Sequence, residues 1–427
     1  MKIIITAFFS LFLLQLQAQD TMVMKETLGL KDILEHIRNH STHLKRYDAE
    51  ARSLDEAAKG ARSWEAPQLG TGLWMVPYNP RMWQKSKDGV QETNGMGQYM
   101  ISGQQMFPNR KRQNAEEAYL GALSSVTQEQ KKATQNDLFA EAKKNFYQWL
   151  VIKKKIAVID ENMKLLDFMI KSTEIRYRNA MEKISAYYKA KAALGTSAND
   201  KLMFQNEIIQ KRIALNTLMH RDKTIVFDID TAIDARDYSL ISFDSTALVN
   251  NRSDIRVFEK QINITKLQQD VEKAKLRPEF GLRYEHMFGF GGSPMQYTLM
   301  GMVKIPFARW SARASKANIE SLKWKAVAQE QEQIAMTNEA LGMAYSLKAE
   351  IETKQKQIRL YETEIIPALQ RNYKTTQLAY EQNTEDLFVL YDAWERLNMI
   401  QLEYVDQLQQ FFTMQIELER VLEITEQ

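Results

Sequence analysis

Residues 98–108 read QYMISGQQMFP, and residues 296–306 read QYTLMGMVKIP. Gln98/Gln296, Tyr99/Tyr297, Gly103/Gly301 and Pro108/Pro306 recur at one constant offset. Each copy runs into a basic, helix-favouring stretch, NRKRQNAEEA (109–118) or FARWSARASKAN (307–318). Proline cannot donate to a strand ladder but suits the first turn of a helix, so both copies read as a strand handing over to a helix. A chain rich in helix formers therefore writes one strand-to-helix joint twice, half a chain apart.

Two further matches appear in the same order. Pro67 and Gly70 of PQLG correspond to Pro278 and Gly281 of PEFG. Tyr177, Glu182, Ile184, Tyr188, Ala190 and Leu194 correspond to Tyr380, Glu385, Leu387, Tyr391, Ala393 and Leu397. Ordered matches of this kind mark a repeated structural unit. The first repeat, 19–222, predicts a helix at about 25–66, strands at 67–77 and 96–107, and hairpin helices at 109–178 and 184–222. The second, 250–427, predicts a helix at about 250–276, strands at 278–288 and 295–306, and hairpin helices at 309–379 and 386–425. Between them, 223–249 loses the helical period and reads as a linker.

In the first long helix Phe139, Ala142, Phe146, Trp149, Ile152, Ile156, Ile159, Met163, Leu166 and Ile170 alternate steps of three and four with one extra three, a coiled-coil seam. Ala344, Leu347, Ile351, Ile358, Tyr361 and Ile365 form a similar seam in the second, interrupted by Lys354. The fold class expected is mainly α with a small β part: two tandem repeats of helix, strand, strand and long helical hairpin.

Composition narrows the setting. The 427 residues carry 57 basic and 54 acidic side chains, a net charge of +3 that gives no reason to expect a nucleic-acid partner. Met1-Lys2 precede IIITAFFSLFLLQLQA, which reads as a signal peptide over 1–18 cut before Gln19. The chain has no cysteine, hence no disulfide framework and no thiol for a lipid anchor. No later apolar run is long enough for a membrane-spanning helix.

The strands, at about 10 residues, are long enough to cross a bilayer when tilted. The first alternates Leu69, Thr71, Leu73 and Met75 with Gly70, Gly72, Trp74 and Val76. Four strands cannot close a barrel, and an open edge in lipid leaves backbone groups unsatisfied. The strands therefore predict either an oligomer that closes one barrel or a small soluble sheet capping a coiled coil.

At this point the residues resemble a family. The order of elements after a signal peptide is similar to that of TolC-type outer-membrane efflux factors. EIIPALQRNYKTTQLAYEQNTEDLFVLYDAWERL (364–397), QQMFPNRKR, VKIPFARWSARAS and LMHRD resemble its local text. The resemblance covers essentially all of the mature chain. It implies a homotrimer with a periplasmic α-helical tunnel, topped by a 12-stranded transmembrane β-barrel to which each chain gives four strands. It further implies outer-membrane lipid, a periplasmic adaptor and an inner-membrane pump as partners, in a Gram-negative bacterium.

The family places glycine at each hairpin tip, where this chain has Ala180 and Asn383. The tip residues Asn179, Ala180, Met181, Glu182, Gln382, Asn383 and Thr384 are the implied adaptor contacts. A family gate of tyrosine, arginine and two aspartates matches Tyr380 and Asp392. Its arginine falls on Glu385 and its second aspartate on Val389, so the pairing cannot be copied whole.

No catalytic constellation, cofactor motif or phosphate loop is present, so no enzyme activity and no cofactor are expected. His36, His40 and His43 have one-face helical spacing, but no carboxylate or cysteine completes a metal set in sequence. Methionine recurs near the strands, at Met75, Met82, Met96, Met100, Met106, Met287, Met295, Met300 and Met302. It reads either as apolar filler or as soft-ion chemistry. The function expected is the exit channel of a tripartite system for small molecules or metal ions. A soluble exported scaffold or adaptor, and a type I protein-secretion channel, are the alternatives.

Overall fold

A computed structural model describes residues 26–88, 91–231 and 242–424. The expected signal peptide and residues 232–241 of the linker lie outside the described residues. Among the described residues there are eight strands: β1 (Glu26–Leu28), β2 (Gln68–Trp74), β3 (Ser86–Asp88), β4 (Gln91–Thr93), β5 (Gln98–Phe107), β6 (Phe227–Ile229), β7 (Glu279–Gly289) and β8 (Gln296–Lys304). The helices are α1 (Leu30–His40), α2 (Thr42–Ala58), α3 (Arg110–Arg178), α4 (Ile184–Leu218), α5 (Ser245–Asn251), α6 (Ser253–Lys275), α7 (Arg313–Leu360), α8 (Ile366–Glu381) and α9 (Leu387–Leu422). The chain is mainly α with a small β part, as expected.

The chain divides into two compact units, each drawing on both halves of the sequence. One comprises Met1–Ser41, Asp137–Ile241 and Leu347–Arg420; the other comprises Thr42–Asn136, Ser242–Ser346 and Val421–Gln427.

The second unit holds an antiparallel sheet in the order β2-β5-β7-β8. Its register puts Tyr99 opposite Phe288, and Ile101 opposite His286. Leu73 faces Tyr99, and Tyr284 faces Leu299. Because opposed residues share a face, one face collects Leu69, Leu73, Tyr99, Ile101, Phe107, Phe280, Leu282, Tyr284, Phe288, Tyr297, Leu299 and Val303. All of these are exposed. The opposite face carries Gln98, Ser102, Gln104, Arg283, Glu285, Gln296, Thr298 and Lys304, together with Met100, Met106, Met287, Met300 and Met302. The methionines thus belong to the polar face. At the helix end of that face Glu279 accepts from Arg112 at 2.6 Å and from Lys304 at 3.2 Å.

At the other end the two hairpin loops are tied together. Gly95 donates to Gly291 O at 2.9 Å, Ser293 Oγ donates to Gly95 O at 2.6 Å, and Trp83 stacks on Phe290 at 5.6 Å. A Cβ on Gly95 would lie 2.2 Å from the Trp83 carbonyl oxygen, so this approach requires glycine.

In the first unit, Ile33, Leu34 and Ile37 of α1 pack with Phe146, Trp149 and Leu150 of α3 and with Leu215, Met219, Phe227 and Ile229. The Trp149 and Phe227 rings meet edge to face at 5.2 Å. Buried seam positions of α3 include Ala142, Phe146, Trp149, Ile152, Ile159 and Leu166. Lys143 lies in the same packed region and bonds Glu419 at 2.5 Å, with both side chains at most 10% exposed. Lys354, the break in the second seam, donates to Gln407 at 2.6 Å and to Gln410 at 2.9 Å. Its ammonium is hydrogen-bonded by amide groups rather than left bare.

Several boundaries differ from expectation. The helix expected at 25–66 begins with β1, which pairs in parallel with β6 inside the stretch read as linker. It then breaks at Ser41, whose ψ of 123° is extended, and ends in a 3₁₀ turn at Lys59–Arg62. Gly29 and Asp32 set the start of α1, since the Asp32 carboxylate accepts from the Gly29 N–H at 3.0 Å. The helix expected at 250–276 divides into α5 and α6 at Arg252. The one expected at 309–379 starts at Arg313, ends at Glu381 and widens into a π turn at Tyr361–Ile365. Pro367 supplies the reason: it lacks an N–H and crowds the carbonyl one turn back, so the helix loosens just before it. Across this turn Tyr361 donates to Glu403 and Tyr404 donates to Glu362, each at 2.7 Å.

Candidate functional site

Both hairpin tips lie in the first unit and end their first helix in the same way. Ala180 has φ 59° and Asn383 has φ 62°, the left-handed region that usually requires glycine. After α3, Ala180 N bonds Tyr177 O at 2.9 Å and Met181 N bonds Arg176 O at 2.8 Å. After α8, Asn383 N bonds Tyr380 O at 3.1 Å and Thr384 N bonds Ala379 O at 3.0 Å. Each is a Schellman turn, closing the orphan carbonyls of its helix. The substitutions at the two glycine positions therefore change the side chain while the turn persists. Asparagine tolerates this conformation better than alanine does. Ala180→Gly is accordingly expected to stabilise its tip by about 0.5–1 kcal/mol, after the added freedom of the unfolded chain is subtracted. Slower amide exchange at 176–184 would register the gain, and unchanged exchange would refute it.

Under the turns sits a compact core. Leu166 and Met169 of α3 pack with Ala186, Tyr373, Tyr380, Leu387, Leu390, Tyr391 and Trp394. Tyr380 is 0% exposed, and its hydroxyl lies 3.5 Å from Thr173 Oγ1. The Arg176 guanidinium stands over the Tyr380 ring at 4.1 Å, donates to the Tyr380 carbonyl oxygen, and donates to Asn383 Oδ1. One arginine of the first hairpin thereby holds the ring, backbone and turn residue of the second. Nearby, burial pushes the Tyr373 hydroxyl up to about 12, with Glu381 adding to the shift, so it stays neutral. Lys189 of α4 lies 4.0 Å over the Tyr391 ring.

The expected gate residues separate here. Tyr380 is a buried anchor whose contacts are Thr173 and Arg176. Asp392 and Glu385 are exposed and make no hydrogen bond or ion pair among the described residues. Of the tip residues, Asn179, Ala180, Met181, Gln382, Asn383 and Thr384 are exposed and Glu182 is half-buried. Arg176 escaped sequence reasoning because its partner lies 204 residues away and its counterpart in the second repeat is not an arginine. The nearest signal was the absence of an arginine after the second tip, where Glu385 stands.

Among the described residues no group of three or more His, Cys, Asp and Glu is arranged to hold a metal ion. The His36 and His40 rings stack at 4.3 Å instead. Burial, followed by His40, lowers the pKa of His36. No described helix is long and apolar enough to cross a membrane.

No protein-family model and no curated protein sequence matches the chain. Solved structures do. The outer-membrane channel OprN aligns with a TM-score of 0.72 at 16% identity, covering 92% of this chain and 89% of that one. The outer-membrane protein VceC of Vibrio cholerae gives 0.68 at 16% identity, over 92% and 95%. The open state of the MtrE outer-membrane channel of Neisseria gonorrhoeae gives 0.69 at 14% identity, over 92% and 88%. The strand register, the paired long hairpins and these likenesses agree: the chain has the fold of the TolC-type outer-membrane channels.

Proposed function

We propose that the chain is one subunit of a trimeric outer-membrane duct, in which three copies close a 12-stranded barrel and extend helices into the periplasm. The observation that carries this reading is the sheet. It has an exposed apolar face, a polar opposite face, and β2 and β8 as unpaired edges. In water such a face would be an aggregation liability, and in lipid an open edge would leave backbone groups bare; closure by further copies removes both problems. Exposed Ile184, Tyr188, Leu202, Met203, Ile209 and Ile213 on α4 add an unpartnered apolar surface on the helical part. OprN, VceC and MtrE, which share the fold, are outer-membrane proteins.

In this reading cargo passes through the duct, delivered by an inner-membrane pump through an adaptor that docks on the exposed tips around Met181 and Asn383. Small molecules or metal ions are the cargo proposed. Asp392 would form a ring of like charge where three copies meet. Mass measurement in detergent and planar-bilayer conductance test the duct, which predicts a trimer that conducts; a soluble, non-conducting monomer would return the chain to the scaffold class. Asp392→Asn is expected to lower cation preference and block by multivalent cations. Unchanged ion selectivity would remove Asp392 from the gate.

A further inference from the structure

The second unit carries a basic and aromatic band where its strands meet its helices. Trp64 is 60% exposed and meets Phe107, at the helix end of β5, edge to face at 5.6 Å. Phe307 and Trp310 follow β8, and Trp310 is 85% exposed. Large aromatic side chains held in the open at the end of an apolar strand face mark a membrane–water boundary.

Arg110, Lys111, Arg277, Arg309 and Arg313 lie in the same joints, all exposed. None of them makes an ion pair among the described residues. Their neighbours Arg112 and Lys304 differ, because both pair with Glu279 on the polar face. The joint thus supplies an acid for some of its cations and leaves the others unmatched. Helix stability does not account for the rest. Arg110 and Lys111 open α3 and Arg313 opens α7, where positive charge opposes the helix dipole and neither first turn carries an acid. The exposed N–H of Lys111 is already capped by Asn109 Oδ1 at 2.9 Å, so the unmet demand lies in the side-chain charges.

We infer that this collar binds the anionic headgroups of phospholipids in the membrane leaflet next to the helices, with the aromatic side chains seated at the headgroup level. Charge complementarity selects the ligand: unmatched cations beside an apolar strand face attract phosphate esters with a net negative charge and discriminate little for zwitterionic ones. The inference rests on the barrel reading and adds a lipid preference to it.

The test uses the full-length chain reconstituted into vesicles of phosphatidylcholine alone or with phosphatidylglycerol. Lipid retained on the protein after extraction from mixed vesicles is then measured. Wild type is expected to retain phosphatidylglycerol about tenfold over its bulk ratio, and to lose that enrichment in the variant R110Q/K111Q/R309Q/R313Q. High salt should reduce the enrichment, and the lysine variant R110K/R309K/R313K should keep it. Equal retention of the two lipids by wild type would overturn the inference even if the variant failed to fold, as would enrichment unchanged by the glutamine substitutions. Insertion with conductance but no enrichment would remove the collar and leave the duct standing. Failure to insert into either vesicle would remove both.

Discussion

Lys143→Met is expected to loosen the packing of α3 against α9 by about 3–5 kcal/mol. Lys143 and Glu419 meet at 2.5 Å with side chains only 7% and 10% exposed. Removing the ammonium takes a close cationic partner from a carboxylate in a poorly hydrated site, and that loss supplies the cost. The double variant Lys143→Met/Glu419→Leu should therefore recover most of the loss, since a well-packed apolar pair of similar volume is often as stable as a buried ion pair. Hydrogen exchange over 137–153 and 410–420 reads both outcomes. A double variant as unstable as the single one would refute the argument and assign Lys143 a packing role instead.

Arg176→Ala comes second, and its effect is functional as well as structural. The substitution removes donation to the Tyr380 carbonyl oxygen, donation to Asn383 Oδ1 and the cation over the Tyr380 ring. Charge-assisted bonds at a partly exposed site place the combined cost near 2–3 kcal/mol. Exchange should rise in the second tip, 378–388, far more than in α9 beyond Trp394. In a conducting trimer the loosened tip should raise the open fraction of the channel. Arg176→Lys keeps the charge but loses the fork that reaches two acceptors, so it should give an intermediate result. Identical exchange in wild type and Arg176→Ala would dismiss the arginine as a link between the hairpins.

The two predictions draw on features of different legibility. The seam from Phe139 to Ile170 could be read because helical periodicity is local: a residue's face follows from its position in the count. The same holds for the strands, whose alternation and terminal prolines located them to within a few residues of β2, β5, β7 and β8. β1 and β6 could not be read, because three-residue strands carry no period and exist only through each other's hydrogen bonds. The π turn was within reach, since Pro367 stands in plain view inside the helical run. Its width depended on the neighbouring α9 that supplies Glu403 and Tyr404.

The candidate site divides along the same line. The tips were placed by the interrupted helical pattern, and Asn383 is of a residue type that tolerates the left-handed turn it takes. Ala180 did not, for alanine reaches that conformation only when the surrounding turn forces it. The resemblance led to Tyr380, but only the folded chain puts it beneath Arg176.

The amino-acid sequence alone determined the doubled unit, the mainly helical class and the four strand segments, because repetition, period and proline placement are encoded residue by residue. Tertiary structure decided which strands are neighbours, that one sheet face is mostly apolar, and that an arginine of one hairpin holds the turn of the other. Each of those depends on groups far apart in the chain meeting within bonding distance, which no local pattern specifies.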